Sequence, residues 1–534
     1  MSSTSTHSSR VVSMASGTMV SRLTGLFRVL VLAWVLGFTP IADSFNLANT
    51  VPNMLFDLVL GGVAGATFIP VFVERLALDG ERRAWKSISN VVTGAIIVLA
   101  GASLIAWFCA PWIIDGFTAF RDSKTTASLM VLAQQRAVAT DLLRWFVPQI
   151  FFYGVIGVAT SLLNIRNRFG VAAWVPVANN IVCIGVLIWF HLVDPTPMLS
   201  TLSGSTDLMW LGLGTTLGVA VQFLCLLPSL FRSDLWRLTF RFNLKDPALR
   251  AVGRLGSWTL LVVLLNQLSL FVVLAFAFGV GGDGPVSAYT YGWSFMQMPY
   301  AVVVVSVLGA ITPQLAGFAT DEDYAGLAER LRFALRQSLV IIIPCTLVLI
   351  VIAQPLVGIL LNHVNAAHPL AAGTVLAVLA AGLPGFTIFQ LCVRGLQSMQ
   401  RAREVFALYF LDNALTIVLC VALGRHSLAG LTASVSIGYS VAAVAALVVL
   451  ARHRVNITSG VWSVHVRRSL YASLVATAAV AALYAVPAWT HGIGLLARLS
   501  AALVGGLLVY LVVVVALRRR LRRTQSKGAM LKQF

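Results

Sequence analysis

Apolar runs of about 20 residues recur from end to end of the chain, separated by short polar stretches that carry nearly all of its charge. As a helix, rising about 1.5 Å per residue, each run is long enough to cross roughly 30 Å of hydrocarbon. The pattern predicts about fourteen spans, at 14–38, 48–73, 88–113, 141–164, 172–192, 208–231, 257–280, 290–315, 338–361, 371–396, 405–424, 428–451, 469–489 and 493–517. Hydrocarbon offers no water to an exposed backbone, so only helices or closed barrels cross it. Uninterrupted runs of this length exclude the short alternating strands of a barrel. The expected fold is an all-α integral membrane protein.

The polar stretches alternate in charge. If the N-terminus is cytoplasmic, the inner loops hold Arg75, Arg82, Arg83 and Lys86 after span 2, Arg166 and Arg168 after span 4, and six basic residues between Arg232 and Arg254. The later inner loops continue with Arg330, Arg332, Arg336, Arg401, Arg403, Arg452, Arg454, Arg467 and Arg468, and the tail adds Arg518 to Arg523. The outer loops hold only Arg121, Lys124, Arg136 and Arg425. Because one missed helix would exchange the sides of every later loop, the alternation supports the count and places both termini in the cytoplasm.

Two internal likenesses point to a duplicated plan. "VPNMLFDLVLGG" (Val51 to Gly62) aligns without gaps with "MPYAVVVVSVLG" (Met298 to Gly309), setting Pro52 on Pro299, and "LLNIRNRFG" parallels "LQSMQRARE". Transporters are commonly built from such repeats. The expected organisation is a cytoplasmic tail (1–13), a six-helix lobe (14–231), a basic loop (232–256), a second six-helix lobe (257–451), two appended helices (452–517) and a basic tail (518–534). Residues 321–337 show apolar positions at helical spacing with mixed charges, as expected of an amphipathic helix at the inner interface between the lobes.

Composition narrows the class. The 534 residues are 58% hydrophobic and 11% charged, against about a quarter charged in soluble proteins. The net charge of +19 lies in short loops and the tail, where it sets orientation, so no nucleic-acid partner is expected. The six cysteines fall inside apolar runs without CxxC spacing, and the eight histidines are scattered, so neither a metal site nor a disulfide framework is expected. The first ten residues lack the features of a signal peptide, so span 1 is expected to stay in the mature protein. With no nucleophile–base pair and no phosphate loop, neither an enzyme nor an ATP-driven pump is expected.

The costly residues are those inside the spans. A charge at the bilayer centre costs at least about 2.5–3.5 kcal/mol. Arg22 lies near the start of span 1 and can snorkel to the surface, whereas Arg28 lies near its middle and must face protein or a wet cavity. Six residues apart, the two side chains differ by about 120° and about 9 Å along the axis, with Gly25 leaving room between them. Two alternatives stand: Arg28 pairs with a buried acid such as Asp57, or it lines a cavity that holds an anion, as the planar guanidinium does well. Arg144, Arg394 and Asp412 are the other ionisable groups at depth.

"SRLTGLFR", "ADSFNLANTVPNML", "NRFGVAAWVPVANN" and "MPYAVVVVSVLGAITPQLA" together resemble the MurJ (MviN) family of lipid II flippases, within the multidrug/oligosaccharidyl-lipid/polysaccharide exporter superfamily. The resemblance runs from about Ser21 to Ala451. It implies two lobes around a central cationic cavity, with spans 13 and 14 forming a groove for a lipid tail. The implied substrate is a polyprenyl-diphosphate-linked disaccharide-pentapeptide, moved to the outer leaflet of the bacterial inner membrane for peptidoglycan synthesis. Arg22 and Arg28 match the family's substrate-handling arginines, and Asp43 and Asn53 fall within its second-span motif. The chain departs from the family where Val29 replaces an acid, where Phe56 and Asp57 replace an arginine, and where Ser294 stands near the position of another. The resemblance also suggests a sodium or proton site at Asn266, Asp412, Asn413 and Thr432.

Alternating access between two lobes is the expected mechanism, with no cofactor. Membrane potential is a candidate drive, worth about 2.3 kcal/mol per elementary charge at 100 mV. The two missing arginines motivate another lipid-linked saccharide as an alternative cargo. A third alternative is a non-transporting scaffold for cell-wall synthesis or division proteins, docking through the basic tail.

Overall fold

The computed structural model describes residues 2–58, 80–121, 125–165, 168–232, 239–243, 247–361, 369–425, 427–459, 463–486 and 493–530. All regular structure among them is helical, and 13 helices are long and apolar enough to span a membrane. The helix Pro40–Phe56 supplies the first half of span 2. The rest of that span, including Gly62 and Pro70, lies outside the described residues. About fourteen spans result, as the apolar runs predict.

Three stretches differ from expectation. The first helix runs Ser2–Leu36, so residues 2–13 extend it rather than forming a separate tail. The outer stretch before span 4 is itself helical, Thr126–Phe146, and a second helix follows, Pro148–Ile165. Thr125 starts it with a capping box to Ser128, and Leu132, Gln135, Val138, Ala139, Leu142, Leu143 and Phe146 are buried at helical spacing. Its polar residues interrupt the apolar run without interrupting the buried stripe. Finally, residues 324–337 form no separate interfacial helix. They begin the single helix Tyr324–Leu361, whose buried positions Leu327, Leu331, Ala334, Leu335, Ser338, Leu339 and Ile342 pass unbroken from the charged segment into span 9. A stripe continuous at 3.6-residue spacing gives the chain no reason to turn.

The chain divides into two compact units, Met1–Tyr291 and Gly292–Phe534, which part inside the helix Pro285–Pro299 of span 8. In the first unit, pairings show the direction of each span. Spans 1 and 5 run parallel, with Gly17 against Trp174 and Trp34 against His191. Spans 2 and 4 are parallel through Phe45–Phe146 and Phe56–Tyr153, and spans 3 and 7 through Phe117–Phe271 and Phe120–Phe276. Spans 5 and 6 are antiparallel, with Gly214 against Val186 and Gly218 against Asn179. Each of these pairings has the sense required of a chain that crosses at every span: odd with odd and even with even parallel, odd with even antiparallel. Three even-numbered spans open on side-chain caps: Thr39 on Ala42 N–H, Ser205 on Leu208 N–H and, in the second unit, Ser427 on Gly430 N–H.

The second unit repeats the alternation. Spans 10 and 12 are parallel and close, with Gly382 facing Ser436 and Gly385 facing Ser440, the small-residue contact that lets membrane helices approach. Spans 13 and 14 pack on span 9 through Ile352, Val480, Leu499 and Ala502. Of the two segments aligned as repeats, Met298 to Gly309 carries a π-helical turn at Tyr300–Val304 directly after Pro299, and the other turns π-helical at 57–58, shortly after Pro52. Proline removes a backbone donor in both, and a wider turn is one way a helix absorbs the loss.

Candidate functional site

Span 1 reaches span 5 through its small residues. Gly17 admits the Trp174 indole, since a Cβ there would lie 2.6 Å from the ring. One and two turns further on, Asn180 Nδ2 donates to Ser21 O at 3.2 Å and to Thr24 Oγ1 at 3.0 Å. Gly25 faces the same amide, with a notional Cβ 3.6 Å from Asn180 Nδ2. A methyl would fit there in ordinary contact, and only a longer side chain would press on the amide. One turn beyond, Arg28 points to the same neighbour: its guanidinium bears on Cys183 of span 5 and on Tyr153 of span 4. Asn179 backs this group, accepting from Cys183 Sγ at 3.2 Å and bonding Tyr153.

Arg28 lies twelve residues after Ser16 and eight before Leu36, the ends of the apolar helix, so it is at mid-membrane depth. It is half-buried, while Arg22 is exposed. Asp57 is not its partner: that carboxylate accepts from Gln267 Nε2 of span 7 at 3.2 Å. Among the described residues Arg28 is in no ion pair. A permanent cation therefore stands at mid-depth beside a thiol and a phenol.

On span 2, Asp43, Asn46, Thr50, Asn53 and Asp57 follow at intervals of three and four, which sets all five on one helix face. The upper part of this polar stripe is closed. Asp43 and Asn46 are buried and meet Ser287 of span 8, with Asn46 Nδ2 donating to Ser287 Oγ at 3.0 Å. The lower part is open: Asn53 and Asp57 are exposed, and among the described residues Asn53 donates to Asn49 O of its own helix at 2.8 Å.

The other expected residues belong to different places. Ser294 is half-buried in the second unit, next to Trp293, which stacks on Tyr439. Asn266 belongs to the first unit and Asp412, Asn413 and Thr432 to the second. Asp412 is buried, its Oδ1 without a hydrogen-bond partner among the described residues, and it faces Gly438 of span 12. Thr432 is not its neighbour. It sits six residues from Gly438, about 9 Å along the axis, and its hydroxyl is held by Leu428 O and Ala429 O. Asn413 Nδ2 donates to Tyr409 O. No cluster of three or more His, Cys, Asp or Glu side chains placed to hold a metal occurs among the described residues.

Several contributors were missed from the sequence: Tyr153, Asn179, Asn180, Cys183, Gln267 and Ser287. The paired amides of "VPVANN" were the available signal, because adjacent asparagines inside an apolar run require partners. In the second unit, Arg394 of span 10 is exposed and bears on Tyr300 and Tyr409.

The sequence model of a family described as "Lipid II flippase MurJ" matches residues 32–524. The lipid II flippase MurJ of Burkholderia cenocepacia is 26% identical over 435 residues, covering 79% of each chain. The probable lipid II flippase MurJ of Rhizobium meliloti is 23% identical over 427 residues, covering 78% of this chain and 75% of its own. A solved lipid II flippase MurJ in an inward closed conformation superposes with a TM-score of 0.73 at 19% identity, covering 95% of this chain and 99% of its own. An inward-facing multidrug resistance MATE family transporter of the MOP superfamily gives 0.66 at 15% identity, covering 84% and 99%.

Proposed function

The chain belongs to the MurJ family of lipid II flippases, and on that premise we propose how it handles its cargo. It is a multi-pass membrane protein that carries a lipid-linked peptidoglycan precursor across the bilayer. The diphosphate of that lipid is gripped by Arg28 at mid-depth after first meeting Arg22 nearer the surface, while the polyprenyl tail stays in lipid. Alternating access of two lobes moves it from the inner to the outer leaflet of the bacterial inner membrane, with both termini cytoplasmic. The observation that supports this is the half-buried Arg28 guanidinium, in no ion pair among the described residues and set beside the neutral Tyr153 and Cys183 of spans 4 and 5. Arginine keeps its charge in such a place and offers a planar fork to phosphate oxygens.

The exposed lower stripe of span 2, Asn53 and Asp57, supplies hydrogen-bonding groups for the sugar–peptide part of the cargo. Gly25 and Asp43 act through packing, and Ser294 stands in the second unit as a further polar contact. Coupling to sodium, protons or membrane potential runs through Asp412 rather than Thr432, and transport needs no other cofactor. Any docking of cell-wall synthesis or division proteins uses the basic tail. The test is rapid inactivation of this protein followed by probing newly made lipid II from outside. Loss of external accessibility is expected. Normal accessibility, with another surface polymer lost, would transfer the function to a different lipid-linked saccharide.

A further inference from the structure

The first unit holds an acid at mid-membrane depth as well as the cation of span 1. Asp57 accepts from Gln267 Nε2 at 3.2 Å. Gln267 lies ten residues after Ser257 and thirteen before Val280, the ends of the apolar part of span 7, so this bond fixes the depth of the carboxyl group. Asp57 is exposed, and among the described residues it is in no ion pair. Its hydrogen-bond partner there is one neutral amide. A carboxylate offers about four lone-pair sites, so most of its accepting capacity is unused. An acid at this depth is costly unless it is partnered or put to use. Gln267 has capacity to spare as well: its Oε1 is buried with no hydrogen-bond partner among the described residues. Two acceptors on neighbouring side chains therefore lack donors.

Arg28 and Asp57 do not pair, yet they share a neighbour. The Arg28 guanidinium bears on Tyr153 of span 4, and Phe56, adjacent to Asp57, packs on the same ring with centroids 5.5 Å apart. Beyond that ring they diverge. Arg28 reaches Cys183 of span 5, whereas Asp57 reaches Gln267 of span 7. Opposite charges attract strongly away from bulk water, so two that stand apart suit a ligand carrying both signs at separate points. A hard metal ion fits poorly, because it gathers six or more oxygens, and no cluster of three or more His, Cys, Asp or Glu side chains occurs among the described residues. An ammonium fits better. Its three donors are enough for the carboxylate and for the spare Gln267 acceptor.

We propose that Asp57, with Gln267, receives a primary ammonium on the peptide arm of the cargo while Arg28 holds the diphosphate. This rests on the lipid II assignment and adds a selectivity to it: a cargo whose peptide amine is blocked is a poor ligand. The sugars and peptide between the two cargo charges supply the separation that the two side chains require. A phospholipid with its amine close to its phosphate does not span it.

The test uses the full-length purified chain in detergent and two forms of lipid II, one with a free side-chain amine on its peptide and one with that amine acetylated. Native mass spectrometry of mixtures reads their relative affinity. The parent is expected to bind the free-amine form at least about tenfold more tightly, and excess phosphatidylethanolamine displaces neither form. Asp57→Asn keeps an acceptor for Gln267, melts at the parent temperature and binds the two forms alike. Arg28→Ala weakens both forms and keeps their ratio. Asp141→Asn, which alters an acid held by Ser203 and Gly204 in an outer loop, preserves the ratio. Equal binding of the two forms by the parent, a preference that survives in Asp57→Asn, or its loss in Asp141→Asn would overturn the ammonium assignment and leave lipid II as the cargo. Stoichiometric displacement by phosphatidylethanolamine would also overturn it, and would give the two charges to a phospholipid. Binding of neither form would overturn the cargo assignment, and this inference with it.

Discussion

Asp43 holds Ser287 twice, accepting the serine backbone N–H at 2.8 Å and its hydroxyl at 2.7 Å, across 244 residues of sequence. Both partners are buried, and Asn46 completes the group by donating to the same hydroxyl. Span 2 is thereby tied to the first turn of span 8 within the first unit. An acid in a membrane helix is tolerated here because its lone pairs are used.

Asp43→Ala leaves the buried Ser287 backbone N–H and hydroxyl without their acceptor, and lowers stability by about 1–3 kcal/mol per orphaned group. Ser287→Ala removes the hydroxyl but keeps the N–H bond to Asp43, and is the milder change. Thermal melting of the purified variants in detergent ranks them. Equal melting temperatures would show that the backbone bond carries no weight.

Gly284 precedes that turn with φ of +77°, and a Cβ there would strike the backbone of Phe38. Both faults act together in Gly284→Ala, which combines about 1–3 kcal/mol of backbone strain with a steric clash. Reduced yield of folded protein and a lowered melting temperature are expected. Gly204→Ala, also at positive φ but with open space around it, isolates the strain alone and is the smaller change.

Arg28→Ala inserts and folds but fails to support growth when the native flippase is depleted. Arg28→Lys restores part of the activity, since it keeps the charge and loses the fork. Arg22→Ala is less severe, because the exposed position is reached by other routes. Growth complementation together with membrane-fraction yield separates transport from folding, and full complementation by Arg28→Ala would remove this residue from the mechanism.

Asp412→Asn lowers transport and alters its response to imposed ion gradients, whereas Thr432→Val leaves both near the parent level. The difference follows from Thr432 being hydrogen-bonded within its own helix while Asp412 Oδ1 is unsatisfied. Transport in vesicles with imposed sodium, proton or electrical gradients reads it. Equal effects of the two substitutions would restore a shared site.

Gly25→Leu is expected to separate spans 1 and 5, because its Cβ would already lie 3.6 Å from Asn180 Nδ2 before any branch is added. Loss of the Thr24–Asn180 bond then shifts Arg28 away from Cys183. Accessibility of Cys183 to a membrane-permeant thiol reagent increases in the variant, and an unchanged labelling rate would show that the glycine is not needed for approach.

What the residue order alone determined was the set of crossings and their alternation, because hydrocarbon requires about 20 apolar residues per helix and basic residues collect on one side. The mid-depth arginine was equally visible, since a guanidinium in an apolar run stands out whatever surrounds it. The structure alone decided the neighbours. Asp57 took Gln267 rather than Arg28, Arg28 took Cys183 and Tyr153, and the acid of span 2 at Asp43 took a serine of span 8. It also decided that residues 126–140 are helix, and that the charged segment before span 9 is part of that span. Spacing along a helix states which face a side chain occupies. Which other helix that face meets depends on rotation and close approach, set by distant small residues such as Gly17 and Gly218.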